Sequence, residues 1–510
     1  MTVLVPPYDV PPGRHPWVEL TVADRTALRA LRLPHGIRTA TVLVRLTQAD
    51  RALTLTVRPE WAPLLSLLAR VDGAGCETEL VFASPVPVHA VVAELGRQSV
   101  WPDRVGQRGL VVAGEERGKV PADVDPAFVA ATVRAGVTDP DPVLALGPMD
   151  DRVLNPIGFT TDAQGPVLRL RAEHRGLPPE SLVTSWRALL GMQVTPEADP
   201  RMVAGLAMAG LPLVAEVLAA DLARSLGVLV AAAITAPVDL HDPLAREEHS
   251  VVLRRAALST FATATWRRRL GEASGVRVHH QPSVSVVMAT RRPELLTHAV
   301  AQVARQRGVE ALELVLVPHG FDVPPGLERS LGEGLDLRVV PAPAEEVFGD
   351  VLNRGVGAAG GDVVLKMDDD DWYGPDFVAD LLLARAYSGA ELVGTPDDWH
   401  YLEPRHLTLR LGSPVEDYKQ FVAGGTMLLD IGLLRELGGF RSVPRAVDAQ
   451  LIGAVRAAGG AIYRTPGLGY LMRKTEAGHT WVEDLDAAVV RAATTYDGFR
   501  PSRLVGLSPT

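Results

Sequence analysis

An apolar segment that ends in four consecutive aspartates constrains this chain more than any other feature. Residues 363–367 read Val-Val-Leu-Lys-Met, and Asp368–Asp371 follow directly, before Trp372 and Tyr373. Adjacent carboxylates repel one another, so four of them at the end of a core strand indicate a positive partner. A divalent cation such as Mg²⁺ or Mn²⁺, which takes carboxylate oxygens and often accompanies a phosphate, is the natural candidate. A solvated acidic turn is the alternative that these residues leave open.

The composition indicates a globular protein and argues against one class of partner. The 510 residues are 47% hydrophobic and 22% charged, which is ordinary globular usage. The formal net charge of −10 and the aromatic content of 5% argue against nucleic acid as the main partner. A chain of this length is expected to form about three domains.

Cysteine content and hydropathy bear on location. Cys76 is the single cysteine, so no intramolecular disulfide is possible, which fits a reducing compartment. The longest apolar run, Leu226–Val238, has 13 residues, well short of the ~20 that a bilayer-spanning helix needs. The proline-rich start of the chain carries no signal-peptide pattern. We therefore expect a cytoplasmic protein without a transmembrane segment, and peripheral attachment to a membrane stays open.

Proline content and polarity divide the chain into four predicted parts. Residues 1–125 are expected to form a mixed α/β domain of unknown role. A polar stretch with several prolines marks a boundary, and residues 126–275 alternate strand-like and helical runs, as a Rossmann-like domain does. A third domain is predicted at 282–490, and residues 491–510 are predicted to be a C-terminal tail.

Residues 282–490 repeat a β-α unit. The apolar run that opens this region is nearly continuous, which is typical of a parallel strand buried on both faces. The predicted strands are Val284–Thr290, Leu312–Pro318, Leu335–Val340 and Val363–Met367. A helix is predicted at Val347–Ala358. Ligands of such sheets collect at the carboxyl ends of the strands, where the acidic run lies.

Several linked motifs in this region carry a specific resemblance. In order, they are Val284–Pro293, Leu352–Gly355, Ala359–Asp362, the Asp-x-Asp-Asp pattern of Asp368–Asp371, Gly424–Met427, Gly438–Phe440 and Val447–Asp448. Together they resemble an inverting family 2 glycosyltransferase of the GT-A fold. The resemblance implies an α/β protein whose C-terminal GT-A domain has a Rossmann-like, mixed and mostly parallel sheet. The α/β region that precedes it is predicted to form two subdomains.

The N-terminal half carries a second and weaker resemblance. Ala207–Val214 reads Ala-Met-Ala-Gly-Leu-Pro-Leu-Val, which is similar to the start of a nucleotide-sugar half-domain in degenerate GT-B glycosyltransferases. Turns of this kind also form for structural reasons alone. Periodicity further predicts helices at Trp61–Val71 and Arg246–Leu270.

The family 2 resemblance implies roles for the acidic run. A nucleotide-sugar donor carries a diphosphate whose charge grows as the glycosidic bond breaks, and a Mn²⁺ or Mg²⁺ ion held by Asp370 would stabilise that charge. His479 is expected either to give this metal a nitrogen ligand or to contact phosphate. The residues predicted to bind the donor are Ala289, Thr290, Arg292, Asn353, Asp368 and Asp369.

Asp448 is the predicted general base. It would take a proton from the acceptor hydroxyl as that oxygen attacks the anomeric carbon, which contributes roughly 10²–10⁴ in rate. The family often has Glu-Asp at this position, whereas Val447 precedes the aspartate here. A helix N-cap is the competing explanation for Asp448.

The acceptor and the nucleobase are less well marked. The residues predicted on the acceptor side are Asp371, Trp372, Trp399, Gly424 and Gly425. Trp399 and Tyr401 are expected either to stack on a sugar ring or to pack in a core. Where the family carries paired aspartates, one of which reads the base, this chain has His319-Gly320. A UDP-sugar is the predicted donor, with His319 replacing the base contact, and a pocket for another base is the alternative.

The leading hypothesis is metal-dependent transfer of a sugar from a nucleotide donor to the hydroxyl of a glycan, a lipid-linked acceptor or a small molecule. One alternative is a nucleotidyltransferase, although the turn after the first strand lacks the glycine-rich phosphate loop of such enzymes. The other is a non-catalytic protein that binds nucleotide sugars or carbohydrate through a decayed transferase domain. A glycosidase is disfavoured because its two carboxylates do not require an acidic run at a strand end.

Overall fold

The computed structural model describes most of the chain after residue 162 and parts of what precedes it. The described residues are 2–4, 13–24, 27–28, 31, 33, 37–49, 53, 55, 64–72, 75–98, 146–147, 149, 151, 154, 163–273, 281–327, 335–475 and 485–508. The predicted metal ligand His479 lies outside them.

The chain divides into two compact units. The first unit comprises Met1–Val153, Thr263–Val278 and Val455–Ala461. The second comprises Leu154–Ala262, His279–Ala454 and Ile462–Thr510.

The strands and helices are numbered in chain order. The strands are β1 (Thr2–Leu4), β2 (Gly13–Arg14), β3 (Val18–Val22), β4 (Ile37–Leu46), β5 (Leu64–Asp72), β6 (Gly75–Pro87), β7 (Gly165–Leu170), β8 (Leu189–Val194), β9 (Leu213–Val214), β10 (Val284–Thr290), β11 (Leu312–Pro318), β12 (Asp336–Val339), β13 (Val363–Lys366), β14 (Trp372–Tyr373), β15 (Leu392–Gly394), β16 (Trp399–Leu402), β17 (Leu407–Arg410), β18 (Asp417–Tyr418), β19 (Leu428–Asp430), β20 (Ile462–Arg464), β21 (Tyr470–Lys474) and β22 (Thr494–Asp497). The helices are α1 (Val88–Gln98), α2 (Glu180–Trp186), α3 (Pro200–Met208), α4 (Ala220–Thr235), α5 (Pro243–Phe261), α6 (Thr263–Ala273), α7 (Leu296–Ala304), α8 (Phe348–Ala358), α9 (Phe377–Ser388), α10 (Ile431–Glu436), α11 (Val447–Ala457) and α12 (Leu485–Arg491).

The first unit contains a mixed sheet in the order β1-β3-β4-β6-β5, with β2 paired to β4. The β1, β3 and β4 strands are parallel, and β6 runs antiparallel to both β4 and β5. Val42, Val44, Leu80 and Phe82 are buried in the core that this sheet shares with α1. This part of the unit therefore contains both a mixed sheet and a helix.

One prediction in the first unit is wrong. The helix expected at Trp61–Val71 is the strand β5 from Leu64 onward, and it pairs antiparallel with β6. Leu64 and Leu67 pack against the sheet core, whereas Leu65 and Leu68 are exposed. Pairing with a neighbouring strand thus overrides a local pattern that also suits a helix.

The second unit begins with a small parallel sheet of β7, β8 and β9 and the helices that follow it. The predicted helix Arg246–Leu270 is not continuous, because Ala262 adopts an extended conformation between α5 and α6. Charged side chains of α5 pair with residues far along the chain: Arg255 contacts Asp376 and Asp380 at 2.6 Å. Helix α5 is therefore anchored within the unit that carries the acidic run.

The main sheet of the second unit has the order β12-β11-β10-β13-β19-β15-β20-β18. The β12, β11, β10 and β13 strands are parallel, and β19 runs antiparallel between β13 and β15. β10 is buried over nearly its whole length, as its apolar sequence predicts. The predicted strands of this region and the helix at α8 are confirmed. The sheet is mixed and Rossmann-like in its parallel half.

A third sheet of the second unit has the order β14-β21-β16-β17-β22 and begins directly after the acidic run. The β22 strand comes from residues 491–510, the predicted tail, and pairs antiparallel with β17. Among the described residues, no helix is both long and apolar enough to cross a membrane.

Candidate active site

The candidate site lies at the carboxyl edge of the parallel strands. β10 ends at Thr290, β11 ends at Pro318, and β13 runs into Asp368–Asp371. Because these strands are parallel, their carboxyl ends meet at one edge. The Gly424–Thr426 turn and the start of α11 also reach this edge, since Lys366 contacts both of them.

Lys366 is the centre of the site. Its side chain is only 3% exposed, and its Nζ lies 2.6 Å from Oδ1 of Asp368 and 3.3 Å from Oδ1 of Asp448. It also donates to the carbonyl oxygen of Gly424 at 3.3 Å. Burial lowers the pKa of Lys366, but Asp368 and Asp448 outweigh it and raise the pKa above its ordinary value. The ammonium is therefore charged and joins two carboxylates.

Sequence reasoning missed Lys366. The available signal was a single charged residue within the apolar run 363–367, at the end of a strand predicted to be buried. A lysine in such a position needs an anionic partner, because an unpaired buried charge is costly. The acidic run supplied one partner, but the second, Asp448, is distant in sequence.

Asp448 lies in the first turn of α11, with 32% of its side chain exposed. Burial raises the pKa of Asp448, the Lys366 ammonium opposes that shift, and Asp368 adds to it. The helix begins one residue earlier, at Val447. Within the described part of the chain, Asp448 accepts no hydrogen bond from a backbone amide, so the geometry does not support the N-cap explanation.

Two glycines make room for these carboxylates. A Cβ on Gly424 would lie 2.1 Å from Oδ2 of Asp448. A Cβ on Gly425 would lie 2.8 Å from Oδ2 of Asp368 and 2.9 Å from the hydroxyl of Tyr373. Both positions, predicted on the acceptor side, therefore lie directly against the carboxylates.

Arg292 pairs with the middle of the acidic run. Its guanidinium forms a salt bridge with Asp369 and donates to Oδ2 of Asp370 at 2.8 Å. The hydroxyl of Thr290 also donates to Asp369. Burial raises the pKa of Asp369, although Arg292 and Thr290 act against that shift. Three predicted donor-binding residues, Thr290, Arg292 and Asp369, thus lie together beside the predicted metal ligand.

Asp371 has a different environment from its neighbours. It is buried, its Oδ2 accepts a hydrogen bond from the Tyr470 hydroxyl at 2.6 Å, and its Oδ1 accepts one from the Arg473 amide at 2.9 Å. Burial and the charges of Asp370 and Asp368 raise the pKa of Asp371. Both carboxylate oxygens hold β21, so the carboxylate serves the fold.

The remaining predicted donor contacts lie within the fold rather than beside the carboxylates. The Asn353 side chain donates to the Phe440 carbonyl at 2.7 Å and accepts from the Phe440 amide at 2.8 Å. Its amide group therefore joins α8 to the Gly438–Phe440 turn. Ala289 packs on a small core around Val317.

The predicted aromatic residues divide into a core residue and a cluster. Trp399 is 2% exposed and stacks on Tyr496, with ring centroids 5.8 Å apart, which favours the core interpretation over sugar stacking. Trp372 is half-buried and contacts Tyr401 and Phe499.

His319 is buried at the end of β11, and Arg291 donates from Nε to its Nδ1 at 2.9 Å. Burial and the nearby Arg291 charge lower the pKa of His319, so the imidazole is neutral. Arg291 is exposed and also donates to the Ala344 carbonyl at 3.1 Å. The imidazole therefore orients Arg291 at the site's edge.

The described residues include no group of three or more histidine, cysteine, aspartate or glutamate side chains that could hold a metal ion. A metal shared with substrate phosphates needs only one or two carboxylates, and oxygen ligands are those that Mg²⁺ and Mn²⁺ prefer. Asp370 fits such a shared site. It carries the Arg292 guanidinium in this structure, so a metal would compete with that cation.

Comparisons with known proteins return solved glycosyltransferases with limited overlap. No family model matches the chain, and no curated protein matches it. The mannosyltransferase PcManGT from Pyrobaculum calidifontis, solved with GDP-Man and Mn²⁺, is 16% identical over 42% of this chain and 61% of its own, with a TM-score of 0.31. TarS 1-349 from S. aureus, solved with UDP-GlcNAc, is 17% identical over 41% of this chain and 64% of its own, with a TM-score of 0.32.

The chain thus spans about three fifths of the length of these two structures. Overlap at these TM-scores determines neither the fold nor the activity of this chain.

Proposed function

We propose that this chain is an inverting family 2 glycosyltransferase of the GT-A fold, which moves a sugar from a nucleotide-sugar donor to a hydroxyl acceptor. One observation carries the proposal: Asp368 and Asp448, which are far apart in sequence, meet on the ammonium of Lys366 at the carboxyl edge of a parallel sheet. The transfer needs a group for the donor and a base for the acceptor at one place.

The chemistry assigned to the residues is a direct displacement. Asp448 takes the proton of the acceptor hydroxyl while that oxygen bonds to the anomeric carbon. The bond from this carbon to the diphosphate oxygen breaks, its electron pair leaves with the nucleoside diphosphate, and the anomeric configuration inverts. About a third of the Asp448 side chain is exposed, so a molecule outside the protein can reach this carboxylate.

The donor side is assigned to the acidic run and Arg292. Asp368 would contact sugar or ribose hydroxyls, and Arg292 would contact the diphosphate. Asp370 would hold a Mn²⁺ or Mg²⁺ ion, which supplies a Lewis acid that stabilises the charge on the leaving diphosphate. Arginine suits the phosphate because its fork of donors matches phosphate oxygens.

A panel of nucleotide sugars tests the proposal. Purified full chain is incubated with UDP-glucose, UDP-N-acetylglucosamine, GDP-mannose and other common donors, with Mn²⁺ or with EDTA, and released nucleotide is measured. Mn²⁺-dependent release from at least one donor is expected, and that donor identifies the base and the sugar. No release from any donor under either condition would remove the transferase proposal.

Non-catalytic binding is a second candidate, favoured by one observation. The Arg292 guanidinium pairs with Asp370, the carboxylate assigned to the metal. This pairing suits a site that binds nucleotide sugar without turnover. Titration calorimetry with the same donors distinguishes the two. Saturable binding without any nucleotide release would support the binding protein.

A further inference from the structure

The side chain of Lys366 is buried within the main sheet. Lys366 is the last residue of β13, next to β10, and its backbone amide donates to the Met427 carbonyl at 3.0 Å. Its side chain is 3% exposed, so the long methylene chain is held by packing. The position of its ammonium is therefore set by the sheet itself.

The ammonium faces three oxygen atoms in the site. They are Oδ1 of Asp368 at 2.6 Å, the carbonyl oxygen of Gly424 at 3.3 Å and Oδ1 of Asp448 at 3.3 Å. The ammonium donates hydrogen bonds to Asp368 and Gly424, whereas its contact with Asp448 is an ion pair, since Oδ1 of Asp448 accepts no hydrogen bond within the described residues. Lys366 thus connects three chain segments that are far apart in sequence.

The two oxygens of Asp448 differ. Oδ1 is buried and, within the described residues, its polar contact is the ion pair with Lys366. Since about a third of the side chain remains exposed, that exposure belongs to the other part of the group, which includes Oδ2 beside Gly424. The lysine therefore holds one oxygen inside and leaves the other as the one able to meet an acceptor.

We propose that Lys366 is a positioning residue for the transfer: its ammonium orients the carboxylate of Asp448 toward the acceptor and keeps it aligned with Asp368 on the donor side. The inference rests on the proposed function. Lys366 does not touch substrate in this role, and its effect on rate passes through Asp448. A lysine that only neutralised charge for folding would act on stability and independently of Asp448.

A double-mutant cycle separates these roles. Lys366→Met, Asp448→Asn and the double variant are compared with the unaltered full chain, using Mn²⁺-dependent nucleotide release from the panel donor that the unaltered chain uses best. Lys366→Met is expected to lower kcat by roughly thirtyfold, because the Asp448 carboxylate would no longer be oriented toward the acceptor hydroxyl. In the Asp448→Asn background the same change is expected to alter kcat by less than about threefold, since coupled residues are not additive.

Donor affinity gives a second readout. The dissociation constant of the donor, measured by calorimetry, is expected to change far less than kcat in Lys366→Met. Lys419→Met is the matched control, because Lys419 also pairs with an aspartate two residues away, Asp417, at 2.6 Å. It removes the same charge away from the site, and its kcat is expected to equal that of the unaltered chain. Thermal unfolding shows whether Lys366→Met is folded. If it is not, Lys366→Gln replaces it in the cycle.

The measured values of kcat distinguish the positioning role from the proposed function. Effects of Lys366→Met and Asp448→Asn that multiply in the double variant, or a kcat of Lys366→Met equal to that of the unaltered chain, overturn the positioning role and leave the transferase proposal standing. A lack of activity in the unaltered chain with every donor instead overturns the transferase proposal itself.

Discussion

Two positively charged side chains pair with the acidic run, and they differ in burial. Lys366 joins Asp368 to Asp448 from within the sheet, and its side chain is 3% exposed. Arg292 joins Asp369 to Asp370 from the turn after β10, and its side chain is 25% exposed. The first cation belongs to the core, whereas the second lies on a loop that solvent reaches.

This difference suggests different roles for neighbouring aspartates. A buried ammonium with two carboxylates beside it has no low-cost alternative position, so those carboxylates are held in place. A partly exposed guanidinium can move to another anion, such as a phosphate, and release the carboxylate that it held. The Lys366 pair is therefore suited to fixing geometry, and the Arg292 pair to exchange with a ligand.

The largest expected effect is at Asp448. Asp448→Asn keeps the shape of the side chain but removes the base, so we expect kcat to fall at least roughly a hundredfold with donor affinity nearly unchanged. Steady-state kinetics and donor calorimetry measure the two quantities. Asp486→Asn is the control, because Asp486 also lies in the first turn of a helix, α12, and is largely exposed. A folded Asp448→Asn variant with full activity would exclude the base role.

Gly424→Ala tests whether the position of the carboxylate that pairs with Lys366 matters, without changing a charge. The new Cβ would meet Oδ2 of Asp448 at 2.1 Å and displace it, so we expect kcat to fall roughly tenfold to a hundredfold. Gly453→Ala, in the same helix as Asp448, is the control because a Cβ there meets nothing within 4 Å. Equal kcat for the two variants would show that the position of Asp448 does not matter for turnover.

Arg292→Met tests whether the guanidinium that pairs with Asp369 and Asp370 exchanges with a ligand. Without the guanidinium on Asp370, a metal has less competition, and we expect the half-saturating Mn²⁺ concentration to fall roughly threefold to tenfold. Nucleotide release measured across a Mn²⁺ titration gives this value. Arg307→Met removes another arginine that pairs with an aspartate, Asp376, and should leave the titration unchanged. A higher Mn²⁺ requirement in Arg292→Met would contradict the exchange.

Tyr470→Phe removes one of the two neutral groups that donate hydrogen bonds to Asp371. We expect this change to affect stability alone. The Asp371 carboxylate would lose one of its hydrogen bonds, so we expect the free energy of unfolding to drop by about 1.5–3 kcal/mol, the range for hydrogen bonds to charged groups. We expect kcat to stay within about twofold of that of the unaltered chain. Tyr418→Phe, which removes a bond to the Ser388 carbonyl, should cost only about 0.5–1.5 kcal/mol. Urea denaturation measures both. A large loss of activity in a stable Tyr470→Phe variant would place Asp371 in the reaction.

Much of the parallel half of the main sheet was predictable because its signals are local. The apolar run Val284–Thr290 reads as a doubly buried strand and is one. In contrast, β5 carries a pattern that suits either a helix or a strand, and its pairing with β6 decides between them. Local periodicity determines an element only where no distant partner competes.

The site shows the same division. The sequence predicted a cation site at Asp368–Asp371, but it did not show that these carboxylates have different partners, Lys366, Arg292 and Tyr470. These assignments depend on which side chains approach from β10, β13 and β21. Asn353, which the family resemblance assigned to the donor, has its contacts within the fold, and for Trp399 the core alternative is favoured over sugar stacking.

The sequence by itself determined where the carboxylates lie along the chain and that the strand before them is buried. Tertiary structure decided which cation each carboxylate meets, because those partners come from segments up to about a hundred residues away. It also brought Asp448 onto Lys366, since two carboxylates that are distant in sequence can share one ammonium only where β13 and the start of α11 lie side by side.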